Sequence, residues 1–183
     1  MEIINFFAES LKNLKTIGAV VPCSSVSARK MTGPIDFSKA KTIVELGGGT
    51  GAVTREILKR LSPNAKLIVF ETNRNFVTIL KNIDDVRLTI IEGSAAHMAS
   101  HLKGMDVREA DYVISTLPLV NMGKGTEEKI LEAVRGVLGA EGRYVQIQYS
   151  LVSKNRIKQK FGNVKVDFTP LNFPPAFFYI CER

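Results

Sequence analysis

Val44-Glu45-Leu46-Gly47-Gly48-Gly49-Thr50-Gly51 decides the fold of this chain, because it reads as the end of a buried strand, a glycine-rich turn and the start of a helix. Lys41 to Leu46 supply the β-branched, apolar strand, and Val53, Ile57, Leu58 and Leu61 recur at close to helical spacing over residues 52 to 61. Glycines tolerate positive φ and let backbone come close to a ligand, while the N–H groups opening the next helix bind polar or anionic atoms. The turn therefore predicts a nucleotide-type cofactor. A P-loop needs Lys-Ser/Thr after its last glycine, and Ala52-Val53 stands there instead, which disfavours ATP. Gly47, Gly49 and Ala52 satisfy Gly-x-Gly-x-x-Gly/Ala loosely, so a dinucleotide stays open on spacing alone.

The 183 residues suit one domain with one sizeable core, and 45% apolar with 23% charged residues sets disorder aside. No apolar run approaches the ~18 residues of a spanning helix, and the start of the chain lacks the pattern of a signal peptide, so a cytoplasmic location is expected. Cys23 and Cys181 are isolated, giving neither a disulfide framework nor a metal spacing. The net charge of +7 calls for an acidic partner, nucleic acid or an anionic membrane surface, without choosing between them.

Residues 3–17 form the clearest amphipathic helix. At 100° steps Ile3, Ile4, Phe6, Phe7, Leu11, Leu14 and Ile17 gather on one arc, with Lys12 and Lys15 on its shoulder. Periodicity alone favours packing on the core over lying in a membrane interface. Gly18 ends it. Ser24 or Ser25 N-caps a brief helix over Val26 to Met31, stopped by Thr32-Gly33-Pro34. Residues 1–33 thus form a helical cap on a domain spanning 34–183. After the glycine turn, strands at Lys66 to Glu71, Val86 to Glu92, Asp111 to Ser115 and Arg143 to Tyr149 alternate with helices at Asn73 to Lys81, Ala95 to Leu102 and Glu127 to Leu138. That alternation predicts an α/β fold with a doubly wound, mostly parallel sheet. A basic helix from Ser153 to Lys160 and strands at Val164 to Phe168 and Phe177 to Cys181 close the chain.

Glu45 sharpens the cofactor. Glu-Leu-Gly-x-Gly-x-Gly resembles the first motif of class I methyltransferases, and the resemblance implies a Rossmann-like three-layer sheet whose last strand is antiparallel, with S-adenosylmethionine as cofactor. It places Gly47, Gly49 and Gly51 against the cofactor, Glu45 near its amino-acid end, and Glu71, the acid that ends the second strand, on the ribose hydroxyls. Ser115-Thr116-Leu117-Pro118-Leu119 stands where N-methyltransferases of this class hold the accepting nitrogen. Many that act on a nucleobase carry a stacking aromatic after the proline, and here Leu119 replaces it.

Ser-x-Leu-Pro-Leu instead resembles the phospholipid N-methyltransferase family, bacterial phosphatidylethanolamine methyltransferases of the soluble, membrane-associating type. Val21-Pro22-Cys23-Ser24-Ser25 is similar to that family's Ala-Pro-Ser-Ser, Glu92-Gly93-Ser94-Ala95 to its Gly-Asp-Ala, Gln148-Tyr149 to its Thr-Tyr, and Asn172-Phe173-Pro174-Pro175-Ala176 to its Asn-x-Pro-Pro-Ala. The likeness covers most of residues 19 to 183. It implies adenine contacts near Ser94 and Ala95, Ser115 and Pro118 at the reacting centre, and an acceptor lined by Leu117, Tyr149, Asn172 and Phe173. It also reverses the odds on residues 3–17, which become a contact with the inner face of an anionic membrane.

A sulfonium methyl is already activated, so the task is to align it with a nitrogen lone pair and exclude water. Aromatic faces stabilise methylated ammonium products, and Tyr149 is the first candidate for such a face, Phe173 the second. His97 and His101 lie four apart but lack a third ligand, so no metal is expected. Two other readings stay open: an RNA adenine dimethyltransferase, disfavoured by Leu119, and a non-catalytic lipid-binding module, disfavoured by the presence of both Glu45 and Glu71. An amine lipid is the expected substrate and nucleic acid is not an expected partner.

Overall fold

The computed structural model describes residues 23–170 and 175–183. The expectations for residues 3–17, for Val21-Pro22 and for Asn172 and Phe173 lie outside the described residues. Helix α1 (Ser25–Thr32) begins at Ser24, whose hydroxyl accepts the Ser27 N–H at 3.1 Å, as an N-cap serine does. Then follow β1 (Thr42–Leu46), α2 (Ala52–Leu58), β2 (Lys66–Glu71), α3 (Arg74–Lys81), β3 (Leu88–Glu92), a 3-10 turn (Ala95–His97) and α4 (Met98–Gly104). Next come β4 (Ala110–Ser115), a second 3-10 turn (Leu119–Asn121), α5 (Lys124–Val137), β5 (Leu138–Gln148), α6 (Lys154–Phe161), β6 (Val164–Thr169) and β7 (Ala176–Glu182).

The strands form one sheet in the order β3-β2-β1-β4-β5-β7-β6. Pairing is parallel from β3 to β5, and β7 runs antiparallel to both β5 and β6. Composition follows position. The central strands β1, β2 and β4 are apolar and buried on both faces, whereas the edge strands β3 and β6 are only half-buried and alternate with polar residues. Val44, Leu46, Phe70, Val113 and Tyr144 pack beneath α4, α5 and α6, and Ile43, Leu67, Val69, Ile114 and Val145 pack beneath α1 and α2. These are the three layers that the sequence predicts.

Lys30 fastens α1 to the far end of the chain. Its ammonium lies 3.1 Å from the Asp167 carboxylate, donates to the Phe168 carbonyl at 2.8 Å and stands over the Phe178 ring at 5.3 Å. Several elements differ from expectation: β3 starts at Leu88 and not at Val86, and the helix expected over Ala95 to Leu102 opens as a 3-10 turn. Helix α5 starts at Lys124, one turn before Glu127, and β5 begins at Leu138 instead of Arg143. Leu138 pairs with Ala110 and Arg143 with Tyr112, so the stretch around Gly139 and Gly142 loops out of register within the strand and is not a break before it.

The connections from β1 run to one side of the sheet and those from β4 to the other. The crevice outside the carboxyl ends of β1 and β4 is therefore the topological switch point, where open α/β sheets bind their ligands.

Candidate active site

Sheet register brings the motifs to one edge: Phe70, Leu46, Ser115 and Gln146 are successive cross-strand partners, so the segments after them emerge side by side. The glycine turn divides its work. A Cβ on Gly47 (φ +80°) would stand 2.9 Å from Leu117 Cδ2 and Thr116 Oγ1, and one on Gly48 would stand 2.5 Å from Val69 Cγ1. Those two glycines let the turn sink between its neighbours. Gly49 (φ +52°) has nothing within 4 Å of its Cβ direction, so that side faces open space. Gly51 (φ +81°) N-caps α2.

Glu71 is built into this turn. Its Oε2 accepts the Gly49 N–H at 2.9 Å, and its Oε1 accepts those of Thr72 and Asn73 at 2.8 and 2.9 Å. Oε1 thereby uses both its lone pairs, while Oε2 keeps one beyond the Gly49 amide, which suits it to accept from a ribose hydroxyl. Glu45 is fully buried; its Oε2 accepts the Thr54 hydroxyl at 2.7 Å and its Oε1 has no partner. Burial pushes its carboxyl up to about 8; the Thr54 hydrogen bond opposes that rise and the Glu71 charge adds to it. An orphaned buried oxygen beside an open glycine cradle fits a cofactor that carries a hydroxylated ribose and a cationic amino-acid end.

The segment after β4 is clamped from below. Thr116 donates its N–H to Leu46 O at 3.0 Å and its hydroxyl to Gly47 O, tying the two loops together. Leu117 O accepts from Gln146 Nε2 at 3.0 Å, from Gln148 Nε2 at 2.9 Å and from Leu119 N at 2.9 Å. Tyr144 donates its hydroxyl to Gln146 Oε1, and burial holds that phenol well above its ordinary range. Ser115 is fully buried, with Oγ accepting the Leu117 N–H at 3.3 Å.

The remaining candidates spread around this edge. Pro118 opens the second 3-10 turn, and Leu119 turns into the core, fully buried, so position 119 offers no platform to any ligand. Ser94 N-caps the first 3-10 turn by accepting the Ala96 N–H at 3.3 Å, and Ala95 packs in the core beneath it. Tyr149 follows directly on β5, half-buried against the core on the α1 and α2 face. His101 sets its ring edge on Phe70 at 5.7 Å, a packing contact. Burial, with the Glu45 charge adding, pushes the Cys23 thiol up to about 12, so it is no thiolate near neutral pH.

Thr54 and Gln146 are not singled out by the sequence reading, and Thr116 and Gln148 figure there only inside motifs, without a role. The signal was there for the glutamines: polar residues alternating with Val145 and Ile147 in a strand buried on both faces. A surface pocket of about 430 Å³ lined by Pro34, Arg143, Asn163, Lys165, Ile180 and Glu182 lies at the opposite end of β5 and takes no part in this arrangement.

Removing the Glu71 carboxylate tests the cofactor assignment. Glu71→Ala is expected to weaken cofactor binding by ~1.5–3 kcal/mol, the range for hydrogen bonds to a charged group, while the protein stays folded. Calorimetry on both proteins measures it, and equal affinities would remove Glu71 from the site.

The family model described as an O-methyltransferase domain matches residues 9–169. The ornithine lipid N-methyltransferase of Singulisphaera acidiphila is 28% identical over 180 residues, 97% of this chain and 94% of its own. The ribosomal RNA small subunit methyltransferase H of Polynucleobacter asymbioticus is 33% identical over 81 residues, 42% of this chain and 26% of its own. Among solved structures, a precorrin-6y C5,15-methyltransferase from Geobacter metallireducens superposes with TM-score 0.69 at 15% identity, covering 90% of this chain and 94% of that one. A spermidine synthase in complex with the transition state analogue AdoDATO superposes with TM-score 0.70 at 18% identity, covering 87% and 61%. At such identities these two structures establish a shared fold.

Proposed function

Because the chain belongs to the O-methyltransferase domain family and is an S-adenosylmethionine-dependent methyltransferase, we propose that it methylates the amine nitrogen of a membrane-lipid headgroup. The observation that carries this reading is the similarity to an ornithine lipid N-methyltransferase along nearly the whole of both chains. It favours nitrogen over the oxygen acceptor in the family's description. Similarity to the ribosomal RNA enzyme covers under half of this chain.

When bound, the cofactor would supply a sulfonium methyl group for transfer to the amine nitrogen, whose surplus proton would go to solvent. The chain's own residues arrange this. Glu71 and the Gly49 side of the turn hold the ribose, and Glu45 sets a carboxylate opposite the cationic end. The Ser115 to Pro118 segment, fixed through Leu117 O, forms the wall where the acceptor approaches. Tyr149 and Phe173 supply aromatic faces, and such a face stabilises a desolvated ammonium by ~2 kcal/mol. Ser94 and Ala95 line the adenine end.

Membrane approach is supported by what rims this edge. Val120, Leu151, Val152 and Phe168 are exposed apolar residues in segments that flank the strand ends, and the exposed Lys154 and Lys158 follow on α6. Apolar tips beside lysines suit an anionic lipid surface. Residues 3–17, with Lys12 and Lys15, would add to it. Among the described residues no helix is long and apolar enough to cross a membrane, so the contact is peripheral in this reading.

Incubation with methyl-labelled cofactor, anionic vesicles containing an amine lipid, and structured RNA at matched salt tests the proposal. Label is expected on the lipid amine. Label on RNA alone, or on a hydroxyl, would overturn it.

A further inference from the structure

We propose that Gln148 binds the acceptor amine, its Oε1 receiving an N–H from the nitrogen that will be methylated. This rests on the reading of the site as an amine N-methyltransferase. Gln148 is the last residue of β5, the strand next to β4, and is almost wholly buried at the edge where Ser115 to Pro118 emerge. The orientation of its amide is forced. Leu117 O is an acceptor, so the end that reaches it at 2.9 Å must be the nitrogen, and the oxygen is directed away from it. No donor among the described residues reaches that oxygen, although the amide itself is held in place.

Its neighbours are already used. A carbonyl has two lone pairs, and Leu117 O serves three N–H donors, so it has no capacity left for an incoming amine. The hydroxyl of Ser115 accepts the Leu117 N–H, and that of Thr116 is donated to Gly47 O. Gln146 Oε1 is occupied by Tyr144. Those oxygens are tied into the loop's own hydrogen bonds, whereas Gln148 Oε1, on an amide held through its nitrogen, receives no donor from the described residues.

A neutral oxygen is also the right chemistry. An amine attacks through its lone pair, which the ammonium form lacks. A carboxylate at this place would favour the ammonium; an amide oxygen takes one N–H without raising the amine's proton affinity as strongly. The arrangement discriminates between stages of methylation, because a neutral tertiary amine has no N–H to give. Gln148 therefore assists transfer to primary and secondary amines and gives nothing to the last one.

The experiment compares the wild type with Gln148→Leu and Gln148→Met on a short-chain phosphatidylethanolamine and on its N,N-dimethyl form. Binding is read by calorimetry in the presence of the demethylated cofactor, and turnover by labelled transfer. At a pH above the amines' own titration, affinity and KM for the primary amine are expected to worsen about tenfold, the worth of one hydrogen bond to a buried polar partner, with the dimethyl form and cofactor affinity unchanged within about twofold. Gln148→Glu should move the alkaline rise of the rate upward by about one pH unit, since its charge holds the proton on the amine. Equal losses on both acceptors, loss of cofactor affinity, or no change in any variant would overturn the role of Gln148. A wild-type protein that methylates no amine lipid, an ornithine lipid included, sinks the underlying reading instead, and is told apart because it needs no variant.

Discussion

Glu45→Gln is expected to stabilise the cofactor-free protein against heat, more at pH 8.5 than at pH 5, while weakening its hold on the cofactor. The carboxyl goes from an ordinary value of 4.5 to about 8 in the folded chain because burial disfavours its charge. A group raised in this way contributes its full stability below pH 4.5 and loses it as pH rises through about 8. At ~1.4 kcal/mol per unit, the loss amounts to roughly 4–5 kcal/mol, or about 10 °C in melting temperature for a chain of this size. Glutamine keeps an oxygen for the Thr54 hydroxyl and carries no charge to desolvate, so it escapes the loss. The same ionisation serves binding. A cationic ligand end lowers the Glu45 proton affinity, so cofactor affinity of the wild type rises with pH up to about 8, and the variant shows no such rise. Thermal melts at both pH values test the first half. A difference that does not grow with pH would mean that Glu45 is already ionised when the site is empty.

Arg156→Ala is expected to destabilise the fold by about 3 kcal/mol. Arg156 of α6 sets its Nε 2.7 Å from Oε2 of Glu127, which is 1% exposed in the first turn of α5, with its other oxygen unpartnered. Removing the cation leaves a buried carboxylate uncompensated, which costs ~3–5 kcal/mol; the lower end applies because the Arg156 side chain is 33% exposed. The α5 N-terminus offsets a little of that. Replacing both partners, as Glu127→Leu with Arg156→Met, should recover most of the loss, since an apolar pair leaves no charge behind. Urea titrations of the single and double variants measure both, and a double variant no better than the single one would show that the two helices need the charges for packing itself.

Much of this was legible in the sequence because it depends on local chemistry. Strand β2 appears at Lys66–Glu71 as read, Ser24, one of the two candidate caps, caps α1, the helix expected from Asn73 starts one residue later, and the glycine turn lies where one residue type can make it. What stayed hidden depends on residues meeting across the sheet. Gln146 and Gln148 alternate with apolar residues as solvent-facing ones would, and only the helices packed on the Tyr144 face and the reach of Leu117 O show that they are buried and bonded. The start of β5 was obscured by Gly139 and Gly142, which mark a loop-out, and only the pairing of Leu138 with Ala110 shows that the strand has already begun. Leu119 was read by what it lacks as an aromatic, whereas its burial gives it work in the core.

The bond from Lys30 to Phe168 O joins residues 138 apart in sequence, and it sets the order in which the molecule can be completed. During synthesis α1 leaves the ribosome early, but its anchors on β6 and β7 come from the last fifth of the chain. β7 in turn inserts between β5 and β6, so neither edge of that gap is settled until β7 is free. Closing so long a loop is entropically slow, so the Lys30 contacts with β6 and β7 form late, whereas the packing of α1 on the nearby α2 needs no distant strand. A nascent chain lacking its last two strands holds the glycine turn and both acids, yet leaves one side of β5 as an unpaired edge, open to β strands of other chains. Emergence of β7 is the event that ends this exposure.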